Sequence, residues 1–419
     1  YTIHFGLVVY SVVCMIGFMT GLEIPLIMRI NETYESLREN ISSVMEYDYY
    51  GGLLGGALFA FVLLPFLGLT YTPVLIGSLN LLVASLVLWN FSTHLIRPRI
   101  LNIQFVILLV ISVLAFSVAK PIVLYGEQHK YKDKIIYQEQ TRYQKIVVTQ
   151  WKDDFWLFIN GSTQFSTYDE ERYHEPLVHP VMNLLKERKD ILLLGAGDGL
   201  AAREILKYSD VENLTLVDLD PAMTRLARQH KMFLRVNQGS LNDPRVRVLN
   251  KDAYQFMKES SDLYDAIIID LPDPKSVSLS LLYSLGFYKM VEKHLKPFGA
   301  MVTQSTSPLY SPEAFLCIKK TMQAANFSTL PYQNSVPSMG QWGWVLGIRK
   351  KIMPAKRLKQ EIIARKLPDI ETRFFNQNAM ISMAYFGKGL FEKEKKIEPN
   401  TQFNHNILKY YRQGSWDLY

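Results

Sequence analysis

The chain has 419 residues, of which 48% are hydrophobic and 20% are charged, and its net charge is +7. This length allows two or three domains, and the apolar content is high for a protein that is soluble throughout. The basic residues gather in the C-terminal third without a nucleic-acid recognition motif, so we expect no nucleic-acid partner and a solvated basic face near anionic lipid. Cys14 and Cys317 lie far apart in apolar surroundings, which argues against a metal motif and a structural disulfide.

Residues 1–125 predict a multi-pass transmembrane helical domain in contact with the lipid bilayer. They contain four apolar segments, each close to the ~20 residues that cross a bilayer. The segments are 3–27, 51–69, 72–91 and 103–118. A signal peptide would supply one segment rather than a series, and buried helices of a soluble protein are the alternative. Because the chain begins with Tyr1 rather than Met, we expect further residues upstream and leave the number of spans open.

Two carboxylates fall in or beside these segments. Glu23 lies in GLEIPL, and Asp48 stands at the mouth of the predicted second span. Ionisable groups inside a membrane are costly and often functional, so these residues are candidates for handling a cation, even a polyamine. Pairing of Glu23 with Arg29, or capping of a broken helix, is the structural alternative, and we place neither carboxylate in the catalytic site.

Charge around the segments predicts the orientation. Lysines follow the last segment, whereas the stretch 28–50 is mostly acidic. The lysines are Lys120, Lys130, Lys132 and Lys134. The positive-inside rule then places the large C-terminal part in the cytoplasm, attached to the cell (inner) membrane, although Arg97 and Arg99 argue mildly against this.

A small antiparallel sheet is predicted at 126–170, where the hydrophobic period changes to two. Its strand candidates are 134–138, 144–151 and 155–159. Asn160-Gly161 is a strong hairpin signal directly after the third strand.

Residues 171–349 alternate between strand and helix patterns, which predicts a doubly wound, mainly parallel Rossmann-like sheet. The strand candidates are 191–194, 214–217, 246–249, 266–269 and 300–303, and a hairpin pairs 329–333 with 344–348. The helix candidates are 175–188, 200–208, 221–232, 252–259, 279–295 and 311–325. We expect residues 350–419 to form a basic tail with a terminal helix.

The stretch ILLLGAGDGL, residues 191–200, predicts a buried strand, a glycine turn and a helix. Gly195 and Gly197 let the backbone turn sharply and approach a ligand closely. A dinucleotide fingerprint places a third glycine where this chain has Leu200. The spacing therefore favours a nucleoside without a pyrophosphate, as in folds of the S-adenosylmethionine-methyltransferase type.

Acidic residues follow four successive strands of the predicted sheet, at the edge where ligands bind in such folds. They are Asp198, Asp218, Asp252 and Asp270, with Asp273 three residues further on. A functional role is favoured for the first, second and fourth. For Asp252 the structural alternative is to cap a helix. For Asp273 the structural alternative is to form a turn beside Pro274.

Asp218 and Asp252 are placed on the predicted sheet where a bound nucleoside would be contacted. A carboxylate ending the second strand accepts hydrogen bonds from ribose hydroxyls. We assign this task to Asp218, and the reading of the adenine edge to Asp252 with the backbone of Ala253.

The remaining carboxylates Asp198, Asp270 and Asp273 would repel one another unless a cation lies among them. Pro272 and Pro274 stiffen the loop, and no His or Cys shares it. An organic polycation is therefore favoured over a metal.

In order and spacing, GAGDG, VDLDP, KDA and DLPDP resemble the polyamine aminopropyltransferases, the spermidine synthase family. Upstream, RYQKIVV, INGSTQFS and ERYHEPLVHP are similar to further family segments, and VTQSTSP is similar to a strand that carries an active-site Gln. The resemblance covers about 135–349. The apolar part, with GLEIPL and DYYGGLLGG, resembles the membrane-anchored bacterial branch.

The resemblance implies aminopropyl transfer from decarboxylated S-adenosylmethionine to a diamine, with putrescine giving spermidine and 5′-methylthioadenosine leaving. It implies no metal or other cofactor, and a homodimer. Asp270 would accept the proton, and Asp198 with Gln144 would hold the aminopropyl end of the donor. The acceptor channel would be lined by Tyr173, His174, Asp273 and Gln304.

Two segments depart from the family pattern and leave the acceptor open. VPSMGQWGW stands where soluble members have a Tyr-containing I-P-T-Y segment, and DPKSVSL replaces D-P-x-G-P. Tyr143, Tyr283 and Trp342 are candidates for an aromatic wall around an ammonium, with core packing as the alternative.

Two other functions stay open from the sequence. One is a membrane-anchored S-adenosylmethionine-dependent methyltransferase, which the surplus of aspartates disfavours. The other is a polyamine transporter or sensor with a nucleoside-binding domain, for which Glu23 and Asp48 are the motive.

Overall fold

The computed structural model describes residues 2–32, 36–91, 97–367 and 369–416. The chain forms two units, and the boundary lies between Lys130 and Tyr131. The N-terminal unit holds four α-helices, with a π-helical turn at Phe59–Leu63 between the second and the third. The helices are α1 Thr2–Asn31, α2 Leu37–Leu58, α3 Leu64–Phe91 and α4 Pro98–Gln128.

Among the residues of this unit that the structure describes, four stretches are long and apolar enough to cross a membrane, judged by length and composition alone. They are Gly6–Asn31, Arg38–Gly68, Thr70–Phe91 and Pro98–Gln128. Almost none of their side chains is buried within the unit. Each helix is longer than the apolar segment from which we predicted it.

Helix α3 has a kink at Gly68, where φ is +64°, two residues before the predicted break between the second and third segments. The Thr72 hydroxyl donates to the Gly68 carbonyl at 2.6 Å, directly after the kink. The predicted start of the second span was wrong, because α2 begins at Leu37. Backbone hydrogen bonding continues through the polar residues before the apolar run, so Asp48 lies inside α2 and not at its mouth.

The C-terminal unit begins with a four-stranded antiparallel sheet in chain order. Its strands are β1 Lys134–Gln140, β2 Lys145–Trp151, β3 Asp154–Ile159 and β4 Ser162–Ser166. Asn160 and Gly161 have φ of +51° and +80°, the left-handed conformation that tight hairpin turns require. Sequence reasoning placed three strands here and described the fourth only as part of a hairpin segment.

The predicted doubly wound sheet is confirmed and has seven strands, in the order β10-β11-β9-β8-β5-β6-β7. The strands are β5 Asp190–Gly195, β6 Asn213–Asp218, β7 Val246–Asn250, β8 Tyr264–Asp270, β9 Leu295–Gln304, β10 Phe327–Val336 and β11 Gly340–Arg349. All neighbours are parallel except β11, which is antiparallel to both β9 and β10.

Helices cover both faces of this sheet. They are α5 Glu171–Leu184, α6 Leu200–Leu206, α7 Pro221–Gln229, α8 Lys231–Asn237, α9 Ala253–Glu259, α10 Val277–Leu281, α11 Leu285–His294 and α12 Pro312–Ala324. Along β5, Ile191 and Leu193 enter one hydrophobic cluster, and Leu192 and Leu194 enter another. Burial on both faces explains why the strand is an unbroken apolar run.

Two predicted helices are each divided in the structure. The range 221–232 forms α7 and α8, and 279–295 forms α10 and α11. In the second case the Ser284 hydroxyl accepts a hydrogen bond from Phe287 N at 3.3 Å and starts a new helix.

Residues 350–367 and 369–416 do not extend as the predicted tail but belong to the same unit as the α/β domain, and the predicted terminal helix is present at Asn406–Arg412. They contain α13 Ala355–Ala364, α14 Gln377–Met383, a 3₁₀ turn Leu390–Lys396 and α15 Asn406–Arg412. Leu358, Phe375 and Ile407 are buried, while the lysines that dominate the composition of this segment mostly face solvent. The buried Glu175 carboxylate accepts hydrogen bonds from the backbone N–H groups of residues 373–375.

Candidate active site

The glycine turn after β5 lies against two neighbouring strand ends. Gly195 has φ of +80° and pairs with Asp270, and a Cβ there would lie 2.0 Å from the Asp270 carbonyl oxygen. A Cβ on Gly197 would lie 2.6 Å from Oδ2 of Asp218. Gly195 is therefore required for the close pairing of β5 with the end of β8, and Gly197 for the approach of the Asp218 carboxylate to the turn.

Asp218, at the end of β6, is held by the backbone. Its Oδ2 accepts a hydrogen bond from Gly197 N at 3.1 Å, and its Oδ1 accepts one from Asp220 N at 2.9 Å. Burial, reinforced by the charge of Asp198, raises the pKa of Asp218 to about 6. A carboxylate has about four lone-pair positions, so this one keeps acceptors for a hydroxyl-bearing ligand.

Asp198 lies in the turn itself and is half-buried. Its Oδ1 accepts a hydrogen bond from Leu200 N at 2.8 Å, and its carbonyl accepts one from Asn237 Nδ2 at 2.9 Å. Burial raises the pKa of this carboxyl, and the neighbouring His174 opposes the rise.

Asp270 ends β8 and meets Tyr173 of α5. The Tyr173 hydroxyl donates to Asp270 Oδ1 at 2.6 Å. Burial raises the pKa of Asp270 to about 6, an effect that His174 and the Tyr173 hydrogen bond oppose and that Asp198 increases. Two of the residues predicted to share a site are thus in direct contact.

His174 is the cation among these carboxylates. Its Nδ1 lies 3.0 Å from Glu170 Oε2, and Glu170 is also paired with Arg203 at 2.9 Å. Burial lowers the pKa of His174, but the hydrogen bond to Glu170 and the charges of Glu170, Asp198 and Asp270 outweigh it and raise the pKa to about 9. At neutral pH a buried imidazolium therefore lies beside Asp198 and Asp270.

Asp273 is held from two sides. The Tyr411 hydroxyl of α15 donates to its Oδ2 at 3.0 Å, and Gln304 Nε2 lies 3.4 Å from its Oδ1. Burial raises its pKa, and Lys275, Tyr411 and Gln304 oppose the rise. Gln304 is 2% exposed, so it lies behind Asp273, where its Nε2 also donates to the Leu271 carbonyl at 2.6 Å.

Gln144 lies at the turn between β1 and β2. Thr141 N donates to the Gln144 carbonyl at 2.9 Å, and the Thr141 hydroxyl donates to Asp220 Oδ2 at 2.8 Å. These bonds fix the turn beside the segment that follows β6.

Asp252 is exposed and caps α9, because its Oδ1 accepts a hydrogen bond from Gln255 N at 2.8 Å. The capping alternative is therefore correct. Lys251 N donates to the Asp218 carbonyl at 3.0 Å, which brings this segment beside the ribose candidate. The adenine role of Asp252 and Ala253 stays a prediction.

The proposed aromatic wall is wrong for Tyr283, which is fully buried and donates to the Leu271 carbonyl at 2.9 Å. It fixes the loop that carries Asp273. Trp342 is 7% exposed, and its Nε1 donates to Gln304 Oε1 at 3.3 Å. Tyr143 is exposed, with the Arg142 guanidinium 4.7 Å from the centre of its ring.

Sequence reasoning missed two residues of this site. Glu170 precedes the YHE segment, and its position one helical turn before His174 was the available signal. Tyr411 lies 138 residues beyond Asp273, and no local pattern marked it.

Across the described part of the chain, no group of three His, Cys, Asp or Glu side chains is arranged to hold a metal ion. The site instead gathers half-buried carboxylates at the carboxyl ends of neighbouring strands. Such an arrangement suits an organic cation with a nucleoside portion.

Comparison with known proteins agrees with this chemistry. A sequence model of the spermine/spermidine synthase domain matches residues 170–360. Proteins named polyamine aminopropyltransferase, from Oceanobacillus iheyensis and Leptospira interrogans, are 39% and 37% identical over 98% and 97% of this chain and 79% and 80% of their own lengths. None of these names favours a methyltransferase or a transporter.

Solved structures share the fold. Spermidine synthase from Thermotoga maritima superposes with a TM-score of 0.55 at 24% identity, over 63% of this chain and 88% of that chain. A spermidine synthase in complex with the transition state analogue AdoDATO gives a TM-score of 0.56 at 24% identity, over 63% and 89%.

Proposed function

This chain belongs to the polyamine aminopropyltransferase family, and on that premise we propose how its residues divide between an aminopropyl donor and an amine acceptor. The enzyme transfers the aminopropyl group of decarboxylated S-adenosylmethionine to a di- or polyamine and releases 5′-methylthioadenosine. Its acceptor is putrescine, and the product is spermidine. A sulfonium is already a good leaving group, so the reaction class needs no metal.

The donor lies along the ends of β5, β6 and β7. Asp218 accepts the ribose hydroxyls, and Gly195 and Gly197 give the nucleoside room to approach. Asp252 and Ala253 read the adenine edge. Thr141 supports this arrangement, since it ties the turn that carries Gln144 to the segment after β6 at 2.8 Å.

Asp198 and Gln144 hold the ammonium end of the aminopropyl group. Burial disfavours the charged form of Asp198 and His174 offsets this only in part, so the ammonium of the donor adds a further stabilising charge. S-adenosylmethionine itself would bring its α-carboxylate to the same place, so Asp198 selects the decarboxylated donor by charge repulsion.

The acceptor lies between Asp270 and Asp273, with Tyr173 and His174 around it, while Gln304 supports Asp273 from behind. The attacking amine must be neutral, whereas a free amine with a pKa near ~10 is mostly protonated at pH 7. Asp270 takes this proton. Its pKa of about 6 lies closer to that of the amine than an ordinary aspartate pKa does, which favours proton transfer while the carboxylate is still charged at neutral pH.

The transfer is a single displacement. The amine nitrogen forms a bond to the propyl carbon next to the sulfonium, the C–S bond breaks, and its electron pair stays on sulfur in the neutral thioether. The proton passes from nitrogen to Asp270 and then to solvent. The observation that carries this assignment is the 2.6 Å hydrogen bond from Tyr173 to Asp270 Oδ1, which orients the carboxylate and leaves its Oδ2 for the amine.

The test is Asp270→Asn, which keeps the shape and removes the base. We expect turnover to fall by about 10²- to 10⁴-fold, measured as methylthioadenosine release, while calorimetric affinity for methylthioadenosine stays within a few-fold. Asp262→Asn, at an exposed position, is the matched control. Normal turnover by Asp270→Asn would overturn the role of the base, and absence of product from the folded wild type with every amine tried would overturn the acceptor class.

The N-terminal helices are proposed to cross the cell membrane with the catalytic unit in the cytoplasm. Their lengths and apolar composition support this, as do the lysines that follow α4. Extraction of membranes with alkaline carbonate tests the insertion, and protease protection in right-side-out vesicles tests the orientation. Release into the soluble fraction, or digestion of the catalytic unit from outside, would reject the corresponding part.

We propose a homodimer on the family resemblance alone. Sedimentation of the detergent-solubilised protein at the mass of one chain would reject it.

A further inference from the structure

The C-terminal helix α15 reaches the acceptor half of the site through one side chain. The Tyr411 hydroxyl donates to Asp273 Oδ2 at 3.0 Å, and Tyr411 is 7% exposed. The match to the family model ends at residue 360, well before this helix. We propose that Tyr411 is a positioning residue for Asp273 and completes the amine-binding site, and that the other residues of 397–416, which we call the C-terminal strap, only hold Tyr411 in place. The inference rests on the proposed role of Asp273 toward the acceptor.

The start of the strap is anchored by a fully buried asparagine. Asn400 N donates to the Thr321 hydroxyl at 2.9 Å, and its Nδ2 donates to the Ser280 carbonyl at 2.8 Å. Its own carbonyl accepts a hydrogen bond from Leu285 N at 2.8 Å. Buried polar groups that are all paired hold one conformation, so the strap is a fixed part of the fold.

The end of the strap fixes the ring of Tyr411. The centre of the Trp416 ring lies 4.5 Å from that of Tyr411, and Trp416 Nε1 donates to the Tyr411 carbonyl at 2.8 Å. Ser415 N donates to the Tyr310 carbonyl at 2.8 Å. The direction of the Tyr411 hydroxyl is thus set from both sides of the residue.

The bond from Tyr411 is shorter than the contact with Gln304, whose Nε2 lies 3.4 Å from Asp273 Oδ1. A phenol that donates to a carboxylate favours its charged form and fixes its plane. Both effects help the carboxylate to hold the ammonium of an acceptor. Tyr411 therefore acts through Asp273 on acceptor binding, with little influence on the donor.

Tyr411→Phe removes only the hydroxyl and keeps the ring packing. We expect the acceptor KM to rise about tenfold, the size of effect of one hydrogen bond to a charged group, while kcat and the donor KM stay within about twofold. Tyr410→Phe is the matched control, because it removes the neighbouring hydroxyl, which accepts from Glu398 N at 3.3 Å. We expect this control to leave the acceptor KM unchanged.

Several outcomes would overturn the inference. An unchanged acceptor KM in Tyr411→Phe would do so, as would equal rises of the acceptor KM in Tyr411→Phe and Tyr410→Phe. A lowered melting temperature of Tyr411→Phe without a change in the acceptor KM would also do so, because it would mark a purely structural role. Calorimetric binding of putrescine to the methylthioadenosine complex gives an answer that does not need turnover. If the wild type makes no product, the proposed acceptor class fails, but a difference in amine affinity between wild type and Tyr411→Phe still decides the role of Tyr411. If no amine binds to the wild type, both the proposed acceptor class and the role of Tyr411 fail.

Discussion

The contact between Gly197 and Asp218 allows a quantitative prediction for Gly197→Ala. The added Cβ would lie 2.6 Å from Asp218 Oδ2, whereas ordinary contacts begin at 3.4 Å. The carboxylate must therefore retreat by about 0.8 Å, which takes it out of hydrogen-bond range of Gly197 N. The backbone N–H can no longer orient the group that we assign to the ribose.

A hydrogen bond to a charged group contributes about 1.5–3 kcal/mol, so nucleoside binding should weaken about 10- to 150-fold. Calorimetric titration with methylthioadenosine measures this change, because that ligand contains the ribose but lacks the aminopropyl group. Gly387→Ala is the control, since a Cβ there has no atom within 4 Å. Wild-type affinity in Gly197→Ala, with the fold intact, would refute both the contact and the ribose assignment.

Three further predictions concern charge. Because Asp270 must be deprotonated to act as a base, kcat/KM should fall as the pH drops through about 6. His174→Gln removes the imidazolium that lowers the pKa of Asp270, so the acid limb of the pH profile should move to higher pH. An acid limb at the wild-type pH would contradict the assignment of the base. Asp198→Asn should narrow the preference for decarboxylated S-adenosylmethionine over S-adenosylmethionine, measured as a ratio of dissociation constants, and an unchanged ratio contradicts charge selection. Glu204→Gln should lower the unfolding free energy in urea by about 1.5–3 kcal/mol, since it weakens a charged hydrogen bond to Arg203, which keeps its pair with Glu170. A loss below about 0.5 kcal/mol would show that the pair contributes little.

Glu204 also predicts in which direction the free energy of unfolding changes at acid pH. Burial raises the pKa of Glu204, but the hydrogen bond with His179 and the nearby cations outweigh it and lower the pKa to about 2. Its stabilisation is therefore present above the unfolded value near ~4.3 and is lost as the pH falls toward about 2. Glu204→Gln should remove this part of the acid transition.

Much of the fold could be predicted because it follows from local periodicity. The run Ile191–Leu194 was predictable as a strand since both of its faces are buried, and the aspartates at strand ends had to meet because parallel strands present their carboxyl ends at one edge. The start of α2 could not be predicted, because a helix continues through polar residues without any change of hydrogen bonding.

The acceptor side was less predictable than the donor side. Gln304 was expected to line a channel but lies behind Asp273, and burial of this kind depends on the packing of neighbours. Tyr411 was missed because its contact with Asp273 joins positions 138 residues apart. The basic composition of its surroundings suggested a solvated tail, whereas scattered apolar residues such as Ile407 dock the segment.

The chain positions of the two halves of the site have a consequence for biosynthesis. The residues assigned to the donor lie between 144 and 253, whereas those around the acceptor extend from 173 to 411. A nascent chain released from the ribosome after α9 already contains every residue assigned to the nucleoside, but the amine site is closed only when α15 has emerged and docked. Chains that end before α15 would therefore lack the Tyr411 hydrogen bond to Asp273. A bulky tag fused directly after α15 should weaken binding of the amine more than binding of the nucleoside.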